Sequence, residues 1–286
     1  MANRRVLVKR RKAARNIRKI TRTMQLIATA RFQAAHNRAT AGKPYTEKLT
    51  QLMQNLSRAA GGLKHPLMAQ NPDAGRSALL VLTSNRGMCG GYNTNVLRAA
   101  GDHLVAAEQP VDISMVGKKG VAFFRFLGNE MAETITDIAD APRFDQVEPL
   151  ANRLMERFAA GELASVDVAY TRFLSTARQR PVVERILPLS AEGEDEEGAA
   201  GLEYEFSPAP QELLEELLPA SVRVRIFQCF TDAAVSEQIA RMVAMKAATD
   251  AAGDMIKRLT MQYNRARQTQ ITMELLDIVG GANALE

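Results

Sequence analysis

Ala13-Ala-Arg-Asn-Ile-Arg-Lys-Ile-Thr-Arg-Thr-Met-Gln-Leu-Ile27 decides the fold class of this chain. Ala13, Ile17, Ile20, Met24 and Ile27 recur at intervals of four, three, four and three, which predicts a helix with one apolar seam of about 3.5-residue period. Arg11, Arg15, Arg18 and Arg22 repeat with the same step, displaced by two residues. Two residues are about 200° of helix, so the arginines are expected opposite the seam, facing solvent or an acidic partner. The helical pattern covers residues 3–58, with a kink or interruption expected at Gly42 and Pro44.

The other end of the chain answers the first. From Val222 to about Val279 the pattern is again helical, and Ile256, Leu259, Tyr263 and Ala266 step by three, four and three. Residues 207–218 lead into it, with Ser207 as N-cap, Pro208 in the first turn and acids at 212, 215 and 216. Pro219 is expected to bend or break the helix, and Gly280-Gly281 to end it. A helix of about 50 residues spans about 75 Å, where ordinary helices average about 10–14 residues, so each needs lateral support. The expectation is α/β plus long α: an antiparallel coiled coil of the N-terminal (1–60) and C-terminal (207–286) helices with an inserted Rossmann-like α/β domain.

Between them, Gly61 to Arg76 reads as a linker (61–76) and residues 77–206 as the body. Ala78-Leu-Leu-Val-Leu-Thr83 reads as a buried strand, followed by a Gly-rich turn and a helix over 94–107. Strands are expected at 111–116 and 134–138, helices at 121–127 and 147–160, and a β-hairpin from 166–173 and 182–189. Residues 191–201, AEGEDEEGAAG, read as a solvated loop.

Composition narrows the function. Apolar residues make up 46% of 286, enough for a sizeable core, while Trp is absent. The net charge of +5 is unevenly spread: residues 1–31 hold eleven Arg and Lys, and no acid precedes Glu47. Such a terminus suits nucleic acid, anionic lipid or an acidic protein surface. Cys89 and Cys229 form no CxxC and read as ordinary thiols of a reducing compartment. No run of 18 apolar residues and no secretory h-region occurs; the first Ser is Ser57, against a transit peptide, so a cytoplasmic location is expected.

No catalytic constellation emerges. Ser84-Asn-Arg-Gly-Met-Cys-Gly-Gly-Tyr-Asn93 follows a strand and precedes a helix, where phosphate loops occur, but fits neither GxxxxGK[ST] nor GxGxxG. It reads as a tight turn in which Gly allows positive φ. Gly117-Lys-Lys-Gly120 also lacks the phosphate-loop spacing, and His36, His65 and His103 are scattered without ligand-type neighbours. No metal and no cofactor is expected. The basic face remains open to nucleic acid, a membrane surface, a protein partner or plain solvation.

Asn16-Ile-Arg-Lys-Ile-Thr-Arg-Thr-Met-Gln-Leu-Ile-Ala-Thr-Ala-Arg31 resembles the N-terminal signature of the F-type ATP synthase γ subunit. Ser84 to Asn93 resembles that family's SxRGLCGGxN loop, and Ser236 to Asp250 and Tyr263 to Ala282 are similar to its C-terminal helix. The resemblance covers essentially the whole chain in order and spacing. It implies a central rotor shaft that threads the hexamer of α and β subunits, rests on the c-ring beside ε, and is present in one copy per complex. It implies coupling of proton or Na⁺ flow to ATP synthesis at sites on β, with no catalytic residue of its own. It further implies a position on the cytoplasmic face of a bacterial inner membrane, held there only through the complex. By motif match, Met24, Arg241, Arg267, Gln268, Thr272 and Glu274 stand where the family has coupling or β-contact residues; Arg18 and Arg22 are expected to face acidic β surfaces. Arg11 and Ala14 depart from the family's apolar Ile and Val, and residues 191–201 match poorly. No cysteine-containing regulatory insertion of the chloroplast type is visible. The competing readings are a nucleotide-binding enzyme and a basic coiled-coil nucleic-acid binder.

Overall fold

The apolar run of residues 78–82 lies in the middle strand of a sheet, as a strand without polar alternation requires. The computed structural model describes residues 4–59, 65–138, 140–189 and 210–283. Strands β1 (Ser77–Leu82), β2 (Val111–Val116), β3 (Glu133–Ile135), β4 (Val166–Ser175) and β5 (Arg178–Leu187) form one sheet in the order β3-β2-β1-β4-β5. The first four strands run parallel, and β5 closes the edge as an antiparallel hairpin with β4. The crossovers carry α2 (Tyr92–Ala106), α3 (Lys118–Phe126) and α4 (Phe144–Ala159).

Alternate β1 side chains point to opposite faces. Leu79 and Val81 pack with Val96, Leu97 and Ala100 of α2 and Phe124 of α3. Leu80 and Leu82 share a core with Val147, Leu150, Leu154 and Phe158, spaced as one helical stripe along α4. The third strand is shorter than the expected 134–138, and α3 begins earlier than Val121. Gly117, at φ 94°, turns the chain directly from β2 into α3.

The long helices are α1 (Arg4–Ala59) and α5 (Pro210–Asn283). By their contacts the residues divide within both helices, into one unit of residues 31–240 and another of residues 1–30 with 241–286. In the first unit α5 is a layer of the body: Leu218, Val222, Ile226, Cys229, Phe230 and Ala233 join the α4 core. There also Phe32, Ala35 and Ala39 of α1 pack with Val235 and Ile239 of α5 and with Phe173 of β4.

Three expected breaks are absent. α1 runs unbroken through Gly42 and Pro44, and α5 through Pro219. Leu218 and Val222, buried on either side of Pro219, hold that turn against the core and offset the single lost N–H bond. α5 also passes Gly280-Gly281 and continues to Asn283, the last described residue, since glycine permits a helix end without imposing one. The Ser207 cap, the acidic loop 191–201 and residues 61–64 of the expected linker lie outside the described residues.

The unit of residues 1–30 and 241–286 is an antiparallel helix pair, and here the sequence reading needs its main correction. Leu7, Ala14, Thr21 and Ala28, each seven residues apart, are the buried positions of α1 within this unit. Leu7 and Ala14 pack with Ile256, Leu259, Tyr263 and Ala266, the α5 seam read from sequence. The expected α1 seam faces outward: Ile17, Ile20 and Ile27 are 51%, 60% and 48% exposed. Both sets have the period of a paired helix. The small set wins the interface because Ala and Thr let the two backbones approach closely. The arginines are therefore not opposite the seam. Arg11 and Arg18 each follow a buried position by four residues, about 40° round the helix, and flank the interface. The Arg11 guanidinium lies 4.9 Å from the Tyr263 ring centroid. This cation–π contact supplies at residue 11 what an apolar side chain would supply by burial.

Candidate partner interface

A polar rung fixes the register of the helix pair. Thr249 Oγ1 donates to Thr21 Oγ1 at 2.8 Å, both residues being buried. Arg18 sits one step along the pair, its Nε 3.7 Å from where a Cβ on Gly253 would stand. Arg15, Arg18, Lys19 and Arg22 of α1 line an open groove with Thr249, Asp250 and Ile256 of α5. Arg22 Nη1 donates to Gln25 Oε1 at 3.1 Å, and Met24 beside it is half-buried. The cationic groove thus adjoins exposed Ile17, Ile20, Leu26 and Ile27, a mixed surface typical of a docking face.

The last part of α5 is a second such surface. Ala266 is its last seam residue; residues 267–280 are exposed all round. Arg267, Gln268, Thr272 and Glu274 fall within about 160° of arc at 100° per residue. Ile271, Leu275, Ile278 and Val279, between 44% and 69% exposed, share that arc. Thr272 Oγ1 returns to the Gln268 carbonyl at 3.0 Å and Gln270 Nε2 donates to Glu274 Oε1 at 2.8 Å, so internal bonds orient these side chains. An exposed helix this apolar has no reason to stay in water. Arg241 does not join the group: it is buried and lies about 39 Å upstream of Arg267 by helix rise.

In the unit of residues 31–240, the glycine loop closes on itself. Ser84 N and Oγ approach Asn93 Oδ1 at 2.9 and 3.1 Å, Ser84 Oγ donates to the Arg86 carbonyl at 2.6 Å, and Asn93 Nδ2 donates to the Cys89 sulfur at 3.3 Å. Met88 and Gly90 take positive φ, 62° and 57°. Asn85 ties the loop to its neighbours, accepting from Lys118 N and donating to the Ile138 carbonyl. These bonds spend the polar groups on the turn itself. Arg31, Arg38, Arg86 and Lys118 line a groove beside this loop, where Arg31 is paired with Asp140. Sequence reasoning missed this groove, because its cations come from α1, the loop and α3. It also missed the outward isoleucines. The heptad of Leu7, Ala14, Thr21 and Ala28 was the signal available for them. Among the described residues no group of His, Cys, Asp and Glu is arranged to hold a metal, and both thiols are buried.

A family model described as ATP synthase matches residues 3–285. The ATP synthase gamma chain of Rhodopirellula baltica is 46% identical over 295 residues, covering 100% of both chains. The chain belongs to the ATP synthase gamma chain family. The gamma chain of Dehalococcoides mccartyi strain CBDB1 is 40% identical over 287 residues, again covering 100% of both. Among solved structures, a chain of the Euglena gracilis mitochondrial ATP synthase (OSCP/F1/c-ring, rotational state 3) matches with TM-score 0.69 at 22% identity, over 99% of this chain and 94% of that one. A chain of the rotor of the same enzyme matches with TM-score 0.66 at 18% identity, over 94% and 98%. The gamma-chain fold of two long helices and an α/β body is thus the fold seen here. The chain is a gamma subunit of ATP synthase, and the nucleic-acid-binding reading is left without support. Among the described residues no helix is long and apolar enough to cross a membrane.

Proposed function

We propose that this gamma subunit is a torque-bearing shaft without catalytic residues of its own. One copy turns inside a hexamer of α and β subunits while its body rides on the c-ring beside ε. It works on the cytoplasmic face of a bacterial inner membrane, attached only through the complex. The N- and C-terminal helices, 1–60 and 207–286, serve as the shaft arms, and residues 77–206 carry the body.

The observation that carries this reading is the exposed end of α5, apolar residues interleaved with Arg267, Gln268, Thr272 and Glu274. Buried in a protein sleeve, those apolar side chains would leave water. Four exposed leucine-sized groups are worth on the order of 6 kcal/mol if fully covered. Arg18 and Arg22 offer long-range attraction to acidic β surfaces, which tolerates sliding better than interlocked packing. Met24, half-buried on α1, and Arg241, buried on α5, transmit a push on the shaft surface to the helix pair.

The test is assembly with matching α, β and ε subunits and membrane sectors in vesicles, followed by ATP-driven ion pumping. Arg18→Glu with Arg22→Glu should lower pumping more than ATP hydrolysis. Unchanged coupling and unchanged assembly would remove the proposed charge contact.

A further inference from the structure

The sheet leaves one stretch of backbone open, and α5 closes it. β1 pairs with β4 only as far as Ala169, whereas β5 pairs with β4 as far as Ser175. On the side away from β5, the Thr171 carbonyl and the Phe173 N–H therefore have no strand to meet. In a strand the C=O of residue i and the N–H of residue i+2 point the same way. Both groups are met by side chains of α5. Ser236 Oγ donates to the Thr171 carbonyl at 3.1 Å, and the Asp232 carboxylate accepts from the Phe173 N–H. Gln228 Nε2 donates to Asp232 Oδ1 at 2.8 Å and orients that carboxylate. Three residues before Gln228, Arg225 Nη2 reaches Glu184 Oε1 of β5 at 3.4 Å.

Residues 225, 228, 232 and 236 step by three, four and four and so form one stripe of α5 laid along the hairpin. The apolar contacts around them resist separation of helix and sheet. They resist sliding or rolling of the helix poorly, because hydrophobic attraction is non-directional. Hydrogen bonds to fixed backbone groups are directional and do resist it. We infer that Asp232 and Ser236 are positioning residues that peg α5 to the free edge of β4 and carry torque between helix and body. The inference rests on the shaft reading above.

The experiment uses the assembled α, β and gamma complex with a bead fixed to the body, rotated by ATP against increasing viscous load. Ser236→Ala and Asp232→Ala, alone and together, should turn at the unloaded wild-type rate but slow more steeply under load. Asp232→Asn, which keeps the acceptor oxygen, should restore the wild-type load curve. Exchange of the Phe173 amide, read on the same complexes, should quicken about fivefold where its acceptor is lost. If the alanine variants merely lower yield or melting temperature while assembled complexes keep the wild-type load curve, the peg is structural and the inference fails. Should the double variant not assemble, Ser236→Ala alone decides in the same way. A wild-type complex that does not rotate would instead overturn the shaft reading.

Discussion

The sharpest prediction separates the two candidate seams of α1. Ala14 is 2% exposed in the cluster with Leu7 and Leu259, whereas Ile20 is 60% exposed. Ala14→Leu adds three carbons where the helices touch. Overpacking of that kind costs about 1–3 kcal/mol, so the isolated chain should lose that much in denaturant unfolding followed by helix signal. Ile20→Ala removes a side chain that is mostly in water. Full burial of isoleucine would be worth about 1.5–3 kcal/mol, of which well under half is realised here. Alanine's better helix propensity returns a few tenths of a kcal/mol, so the net change should lie within about 0.5 kcal/mol. The seam read from hydrophobicity alone demands the reverse. If Ile20→Ala costs more than about 1.5 kcal/mol while Ala14→Leu costs nothing, the small-residue seam is wrong. In the assembled complex the order should invert for coupling, with Ile20→Ala the more harmful to pumping.

Burial raises the Asp232 carboxyl to about 6, above the ordinary aspartate value. The folded chain thus holds that proton more tightly than the unfolded one, so this group's contribution to stability falls as pH rises through about 4 to 6. Asp232→Asn should therefore stabilise the isolated chain at pH 8 by up to about 3 kcal/mol, with the gain vanishing below pH 4 in pH-dependent unfolding. Gly117→Ala should fail to give a stable body, because its Cβ would stand 2.2 Å from the Thr83 carbonyl oxygen at φ +94°; expression and thermal melting check this. Truncation after Ala266 removes residues beyond the last seam contact among the described residues, so the isolated chain should melt unchanged while coupling in the assembled complex falls.

What the sequence revealed follows from which signals are local. The β1 run and the β4–β5 hairpin were legible because strand pairing uses contiguous apolar segments. The α5 seam at Ile256, Leu259, Tyr263 and Ala266 was legible because those residues are both periodic and large. The α1 seam was misread because its buried members, Ala14, Thr21 and Ala28, are small, while the larger isoleucines beside them carry the stronger hydrophobic signal. Large apolar residues on an outer face report a partner absent from the single chain. Pro219 and Gly280 illustrate the same limit: a local helix breaker yields when neighbours such as Leu218 and Val222 are anchored. Of the residues matched to the family, Arg267, Gln268, Thr272 and Glu274 share one exposed arc, while Arg241 lies apart and buried. Nothing in the chain alone distinguishes those roles, because the β surface they would touch belongs to another subunit.

The central claim is that this chain turns as a single shaft inside its complex. The direct measurement is a complex of purified α, β and this chain, immobilised through β, with a bead attached to the body and watched under ATP. The account predicts stepwise rotation in one direction, with one copy of the chain per rotating particle. ATP hydrolysis by such complexes with the bead stationary would contradict it.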